Sequence, residues 1–455
     1  MLEASAVHQP APVAGTTVSD TSENVLTLNE AFQKIKDTVT SSETLEESRL
    51  APEHFTRVRK LPFHIIVFIM LCLRKCKVKK QIEEFFKDDF QRNKHEEKMD
   101  LSEYMARVAS QQAFSQARAK FDETPFEKSF NALRDYEYGG TSFGLNTFYG
   151  HILGAIDGSE IPLPDKKNLG EYFGCNGRKS DSPTARGSVL YDTLNQRTMA
   201  AEIEPLSVDE RTLACRHVLE FREVCTACPI CYIFDRGYLS ASMLSLFNGS
   251  KDKYVFRSRS KFNTEIDELG LGDHRIKLKG ENQEEIEVRV VKLIIHSPKD
   301  GDVVETLVTN WFDLPFDEFK ELYHLRWPVE TNYSLLKEKF QLTAFTGYSV
   351  NAIIQDFWLA VLMSYIVGIT FFEAQAKIDE TQKLGNKHEY QPNVNGIVGT
   401  IQMYMKDILA CRDACLSMYV KCIVESSARD KVVKSGPDRH FDRKIPRKVR
   451  DHYNL

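Results

Sequence analysis

The sequence has almost no net charge and no apolar run long enough to cross a bilayer. Its 455 residues carry 60 Lys and Arg against 65 Asp and Glu, a net charge of -5, so any polyanion must be held by local patches and not by the global field. Residues 62–73 are too short to span a membrane. Residues 357–372 form a 16-residue run, below the usual ~18 and diluted by Ser364, Gly368 and Thr370. Both are expected as buried helices, with no membrane as a partner. The first residues lack a basic stretch followed by an apolar core and a small-residue cleavage site, which argues against secretion and for a reducing, cytoplasmic compartment. The ten cysteines are therefore expected as free thiols. Cys225, Cys228 and Cys231 have the spacing of thiolates that share a metal, but no second Cys-x2-Cys or His-x3-His pair completes a zinc site. Where a ferredoxin-type run would need its fourth cysteine stands Asp235. A metal there and plain apolar packing both remain open.

The small net charge hides segregation. Residues 1–54 hold three basic and nine acidic side chains, residues 55–98 twelve and six, and residues 429–455 nine and four. Two basic regions thus flank a nearly neutral body, a distribution suited to holding a polyanion at both ends. Ordinary solvated surface accounts for such runs equally well when they are taken alone.

Residues 1–28 contain almost no large apolar side chains and are expected as a disordered tail. From Leu61 to about Phe130 the periodicity is helical. Pro62 suits a first turn, Ile65, Ile66, Ile69 and Leu73 share a face, and Ile82, Phe85 and Phe86 give a second amphipathic stretch. After Ser110, Ala113, Phe114 and Ala117 are expected inward and Gln112, Gln116, Arg118 and Lys120 outward. Short helices with basic tips resemble a helix-turn-helix reader of DNA, so 29–135 is expected to be a DNA-binding domain. A bundle that only packs on the next domain is the plainer alternative.

After Gly139-Gly140 the pattern changes to strands. His151-Ile-Leu-Gly-Ala-Ile-Asp157 is apolar and ends in a carboxylate. Residues 187–192 and 197–203 read as a hairpin, 209–221 as a helix, Cys231-Tyr-Ile-Phe-Asp235 as a strand again ending in a carboxylate, 239–247 as a helix and 253–257 as a strand. The order β-β-β-α-β-α-β over 145–258 is that of a ribonuclease-H-like α/β core. Residues 259–310 interrupt it with β-rich sequence, 311–345 return to helix and complete the core, and 346–455 form a helical C-terminal region with a basic tail.

In Tyr323-His-Leu-Arg326-Trp-Pro-Val-Glu330 and onward to Lys337, the residues Tyr323, Arg326, Glu330 and Lys337 fall at offsets that, at about 100° per residue, span an arc of roughly 60° on a continuous helix. Such a face presents a phenol, a guanidinium, a carboxylate and an ammonium together. Pro328 lies inside the segment and lacks the N–H that would bond the carbonyl of His324, so a kink is expected there.

These residues resemble the bacterial insertion-sequence transposases of the DDE type, in the branch whose third carboxylate lies in a Tyr-x2-Arg-x3-Glu-x6-Lys signature. The match at Tyr323, Arg326, Glu330 and Lys337 needs no gap. Ala-Ile-Asp157-Gly-Ser159 and Phe-Asp235-Arg-Gly-Tyr238 are similar to the family's first and second carboxylate segments, and residues 113–118 and 183–191 resemble it as well. The resemblance implies catalysis and metal binding by Asp157, Asp235 and Glu330, with Mg²⁺ as cofactor and Mn²⁺ as a substitute. It implies DNA contacts from Tyr323, Arg326, Lys337, Arg118, Lys120 and Arg186, with Trp311 as a candidate for stacking on a flipped base. It further implies cut-and-paste DNA transposition, double-stranded DNA (terminal inverted repeats and target) as the partner, a homodimer in the end complex, and a bacterial cytoplasmic protein that joins the nucleoid when bound to DNA. The alternatives are a host-recruited DNA-binding protein or a structure-selective nuclease built on the same core, and a regulatory protein whose metal is held by the cysteine cluster.

Overall fold

The computed structural model describes residues 16–17, 25–57, 60–72, 78–93, 108–140, 144–177, 182–297, 301–340, 342, 345–381, 388–411 and 413–434. Most of the expected tail at 1–28 and most of the basic stretch at 429–455 lie outside them.

A short pair, β1 (Thr16–Thr17) with β2 (Thr147–Phe148), stands apart from the main sheet. The main sheet contains β3 (Ile152–Pro162), β4 (Thr184–Asp192), β5 (Arg197–Pro205), β6 (Ile230–Phe234), β7 (Lys253–Arg257), β8 (Gly272–Lys279), β9 (Glu285–Ser297) and β10 (Gly301–Thr309). Their spatial order is β5-β4-β3-β6-β7-β10-β9-β8. The first three strands form an antiparallel meander, while β6 runs parallel to β3 and β7 parallel to β6. A meander followed by two parallel strands, reached through the helices Glu210–Val224 and Ala241–Phe247, is the ribonuclease-H-like arrangement expected from the sequence.

The residues at 259–310 do not build a sheet of their own. Strand β10 pairs antiparallel with β7, and β9 and β8 add beyond it, so the insertion lengthens the core sheet. Its outermost strand alternates half-buried and exposed residues and carries Lys277 and Lys279 on the open side, charges of the kind that discourage further strand pairing at an edge.

Side-chain alternation along β3 sorts the core into two faces. Ile152 and Ile156 pack with Val218 and Phe221 of the helix Glu210–Val224, whereas Ala155 and Ile161 join the helical layer opposite. That layer is a single apolar cluster drawing on both ends of the chain. Phe32 and Ile35 of the helix Leu28–Thr40, Ile66 and Ile69 of Phe63–Leu71, Phe357 and Ile366 of Val350–Thr381, and Ile401 of Val394–Ala410 all belong to it. The first of these helices opens with a reciprocal cap between Thr27 and Glu30, a device that satisfies two backbone donors left over at the helix start.

The 32-residue helix Val350–Thr381 is, among the described residues, the one long and apolar enough to cross a membrane, but 83% of its apolar window is buried inside the protein. Gly368 lets it touch the sheet, because a Cβ there would meet the carbonyl oxygen of Gln196 at 2.2 Å. Gln196 itself sits in the β4–β5 turn with φ of 53°.

Candidate active site

The parallel ladder between β3 and β6 ends with Ile156 opposite Phe234. Asp157 and Asp235 are the next residue on each strand, so strand pairing alone brings them side by side. Asp157 does not end its strand, since β3 continues to Pro162 against β4. What ends at Asp157 is the parallel half of its pairing, which opens the sheet toward the signature segment.

That segment is not one helix. A first helix, Glu318–His324, stops short of Pro328, and a second, Pro328–Ser334, begins with the proline in its first turn, where a missing N–H costs nothing. It runs into a π-helical turn, Leu335–Lys339. Tyr323 and Lys337 therefore leave the common face that a continuous helix would give them. Tyr323 donates its hydroxyl to Asp235 Oδ1 at 3.3 Å. Arg326, 6% exposed, donates from Nη2 to Glu330 Oε1 at 2.7 Å. Lys337 turns to β3, donating to Ser159 Oγ and, at 3.0 Å, to the carbonyl oxygen of Glu160. The Tyr333 hydroxyl donates to the carbonyl oxygens of Asp157 and Gly187 at 2.9 and 3.2 Å. Tyr333 thus fastens the second helix to the sheet at the first carboxylate, and Lys337 fastens the π-helical turn to β3 two and three residues beyond it.

Asp157 senses the other two carboxylates. Burial pushes the Asp157 carboxyl up to about 6; Arg326 opposes the rise, and Glu330 and Asp235 add to it. Burial acts on Asp235 in the same direction, but Arg326, the Arg236 amide, Arg257 and Tyr323 together hold it below the usual carboxylate range. Arg326 feels the opposite balance: burial alone would lower its pKa, and Tyr323, Asp235 and Glu330 raise it. The guanidinium is the positive charge around which the acids are arranged. Among the described residues no three His, Cys, Asp or Glu side chains stand close enough to hold one metal ion. The donor set nevertheless fits a hard divalent cation. It is made of carboxylate oxygens, and the repulsion recorded at Asp157 is what such a cation would relieve.

The remaining expected residues lie elsewhere. Arg118 is buried, at 4% exposed. Its guanidinium donates to Gln355 Oε1, Thr346 Oγ1, the carbonyl of Ala352 and Asp356 Oδ1, which corrects its expected outward position. The wheel placed it outward because its partners stand more than 200 residues away in sequence. Lys120 is half-buried, and its backbone carbonyl accepts from Leu50 and from His54 Nδ1. Arg186 pairs with Glu210 at 3.0 Å and donates to the carbonyl of Leu206 at 3.3 Å. Trp311 is 2% exposed and packs against His151 and Phe148 with ring centroids 4.5 and 6.1 Å away, so it offers no face to a base.

Cys225 and Cys231 are buried and belong to different apolar clusters on opposite faces of the sheet. Cys225 caps the helix Glu210–Val224 while Cys231 lies on β6 and faces the other side of the sheet, so the spacing does not gather the thiols around one point.

Three residues near the carboxylates escaped the sequence reading. Trp327, beside Arg326, is 48% exposed. Arg257 at the end of β7 has Nη1 3.5 Å from Asp235 Oδ1, and its guanidinium lies 5.7 Å from the centre of the Tyr323 ring. Glu305 on β10 is buried and holds Arg257. A charge at the end of a strand adjacent to a catalytic strand is the signal that would have found Arg257. For Glu305 the pairing of β10 with β7 has to be known first.

No curated protein sequence matches this chain. Among solved structures it is similar to one titled as a piggyBac transposase synaptic complex with hairpin DNA, with 10% sequence identity, a TM-score of 0.46, and coverage of 90% of this chain and 84% of that one. Residues 149–367, the stretch that holds Asp157, Asp235 and Glu330, match the family model of the transposase DDE domain.

Proposed function

We propose that the protein is a DDE transposase of the insertion-sequence branch, which cuts double-stranded DNA at terminal inverted repeats and joins the 3′-hydroxyl ends to target DNA. The reading is carried by one observation: at the end of the parallel ladder of a ribonuclease-H-like sheet Asp157 and Asp235 follow its last pair, with Glu330 near enough to push the Asp157 carboxyl up, all within the residues that match the transposase DDE domain.

Asp157, Asp235 and Glu330 would hold Mg²⁺, or Mn²⁺ in its place, which activates the attacking water or 3′-hydroxyl and stabilises charge on the leaving oxygen. Arg326 keeps Glu330 turned toward the two aspartates and offsets part of their charge while no cation is held. Tyr323 orients Asp235 through its hydroxyl. Lys337 and Tyr333 fix the angle of the helix that carries Glu330. Phosphates of the DNA end approach the same face, where Arg326 and Lys337 are the cations of the signature. The active form is a homodimer that brings two ends together, in a bacterial cytoplasm where it joins the nucleoid on binding DNA.

The test is a purified protein incubated with supercoiled plasmid carrying the DNA that flanks the coding region, with and without Mg²⁺. Cuts at a pair of inverted repeats followed by insertion into a second plasmid support the reading. Binding without any metal-dependent cut indicates a DNA-binding protein instead, and cuts set by DNA shape with no joining indicate a nuclease.

A further inference from the structure

Asp235 is approached by two guanidinium groups, and they are restrained differently. Arg326 is engaged by Glu330 at 2.7 Å. Arg257 is engaged by Glu305, which stands on β10, opposite Leu293 of β9, and so belongs to the inserted strands. Arg257 donates from Nε and Nη2 to the two carboxylate oxygens of Glu305. Arg236, the residue after Asp235, adds a bond from Nη2 to Glu305 Oε1 at 3.3 Å. Only Nη1 of Arg257 is left to face Asp235, at 3.5 Å.

A guanidinium binds a carboxylate best as a two-pronged fork, which satisfies both oxygens at once. If Arg257 turned its fork to Asp235, it would cover the oxygens that a divalent cation needs. Glu305 competes for that fork, and at 7% side-chain exposure it does so with little interference from water, where ion contacts weaken. We propose that Glu305, a carboxylate outside the three of the DDE set, is a positioning residue that ties up Arg257 and thereby keeps Asp235 open to a divalent cation. This rests on the reading of Asp157, Asp235 and Glu330 as a cation site. It gives the inserted strands a function in the active centre, because any shift of β10 against β7 changes how firmly Arg257 is held.

The experiment is titration of the full-length, DNA-free protein with Mn²⁺, followed by electron paramagnetic resonance of the free ion, with melting temperature recorded for each variant. Wild type should bind, and Asp235→Asn should lose binding. If wild type fails to bind, or Asp235→Asn binds as well as wild type, the cation-site reading itself is wrong, whatever Glu305 does. Given that control, Glu305→Gln should weaken Mn²⁺ binding about tenfold or more, and Glu305→Gln combined with Arg257→Gln should regain wild-type affinity, a rescue that loss of a merely structural contact would not give. Unchanged affinity in Glu305→Gln overturns the proposal, as does a double variant that stays as weak as the single one. Should Glu305→Gln fail to fold, Arg257→Gln alone is decisive: affinity at or above wild type supports the proposal, and a tenfold loss contradicts it.

Discussion

Asp157 and Asp235 stand next to each other because each is the first residue past the last parallel pair, Ile156 opposite Phe234. The geometry of the candidate centre is thus set by backbone hydrogen bonds. Only the third carboxylate, Glu330, depends on how a helix is docked, and Tyr333 and Lys337 do that docking.

Arg326 is the charge that offsets Asp157, Asp235 and Glu330. Arg326→Ala should cost about 2–4 kcal/mol, since removing one partner of a largely buried pair leaves the other charge uncompensated. Added Mg²⁺ should then raise the melting temperature of the variant more than that of wild type. Calorimetry with and without the ion checks this, and an equal rise in both proteins would mean that Arg326 and the cation do not share the same acids.

Arg118 should behave as a core residue. Arg118→Ala removes four donated bonds at a buried site, among them the ion pair with Asp356 at 2.7 Å, and should lower stability by about 3–5 kcal/mol. At a temperature where the variant is still folded, its affinity for DNA should match that of wild type. A salt-dependent loss of DNA affinity without a change in melting would restore the phosphate contact.

Trp311 and Trp327 should separate cleanly. Trp311→Ala opens a cavity beside Phe148 and His151 and should cost about 3–5 kcal/mol. Trp327→Ala removes a side chain that is 48% exposed and should change stability by about 0.5 kcal/mol or less. Denaturant melts of both variants decide the matter.

Glu127 gives the pH dependence of the helical layer. Burial, with Glu123, Glu220 and Asp122 nearby, pushes its carboxyl up to about 7. The folded protein therefore holds a proton there that the unfolded chain releases near its ordinary value, so this contribution is fully present at low pH and is lost as pH rises through about 7. Glu127→Gln should raise the melting temperature at pH 8, by roughly 1 °C for each kcal/mol recovered, and change it little at pH 5. A gain that is larger at pH 5 would reverse the assignment.

Much of the core could be read from the sequence because its signals are local. The apolar runs ending in Asp157 and Asp235, the hairpin around Thr193-Leu-Asn-Gln196 and the strand Lys253–Arg257 each follow from a short stretch of pattern. The errors came from long-range partners and from breaks in a period. Arg118 looked like an outward cation because Gln355 and Asp356, which bury it, are invisible to a helical wheel. The wheel over Tyr323, Arg326, Glu330 and Lys337 assumed one helix, whereas Pro328 restarts it and the π-helical turn rotates Lys337 toward β3. The inserted residues showed their strands but not that β10 would choose β7 as its neighbour, and Glu305 could not be connected to Asp235 without that pairing.

The role of the three carboxylates is measured by metal-dependent nicking of DNA carrying the element's ends, by wild type and by Asp157→Asn, Asp235→Asn and Glu330→Gln, with end binding measured on the same preparations. Each variant should lose nicking by at least about a thousandfold, as expected when a ligand of the required cation is removed, while binding the ends within about threefold of wild type. Nicking at the wild-type rate by any one of the three would remove that residue from the centre and contradict the assignment.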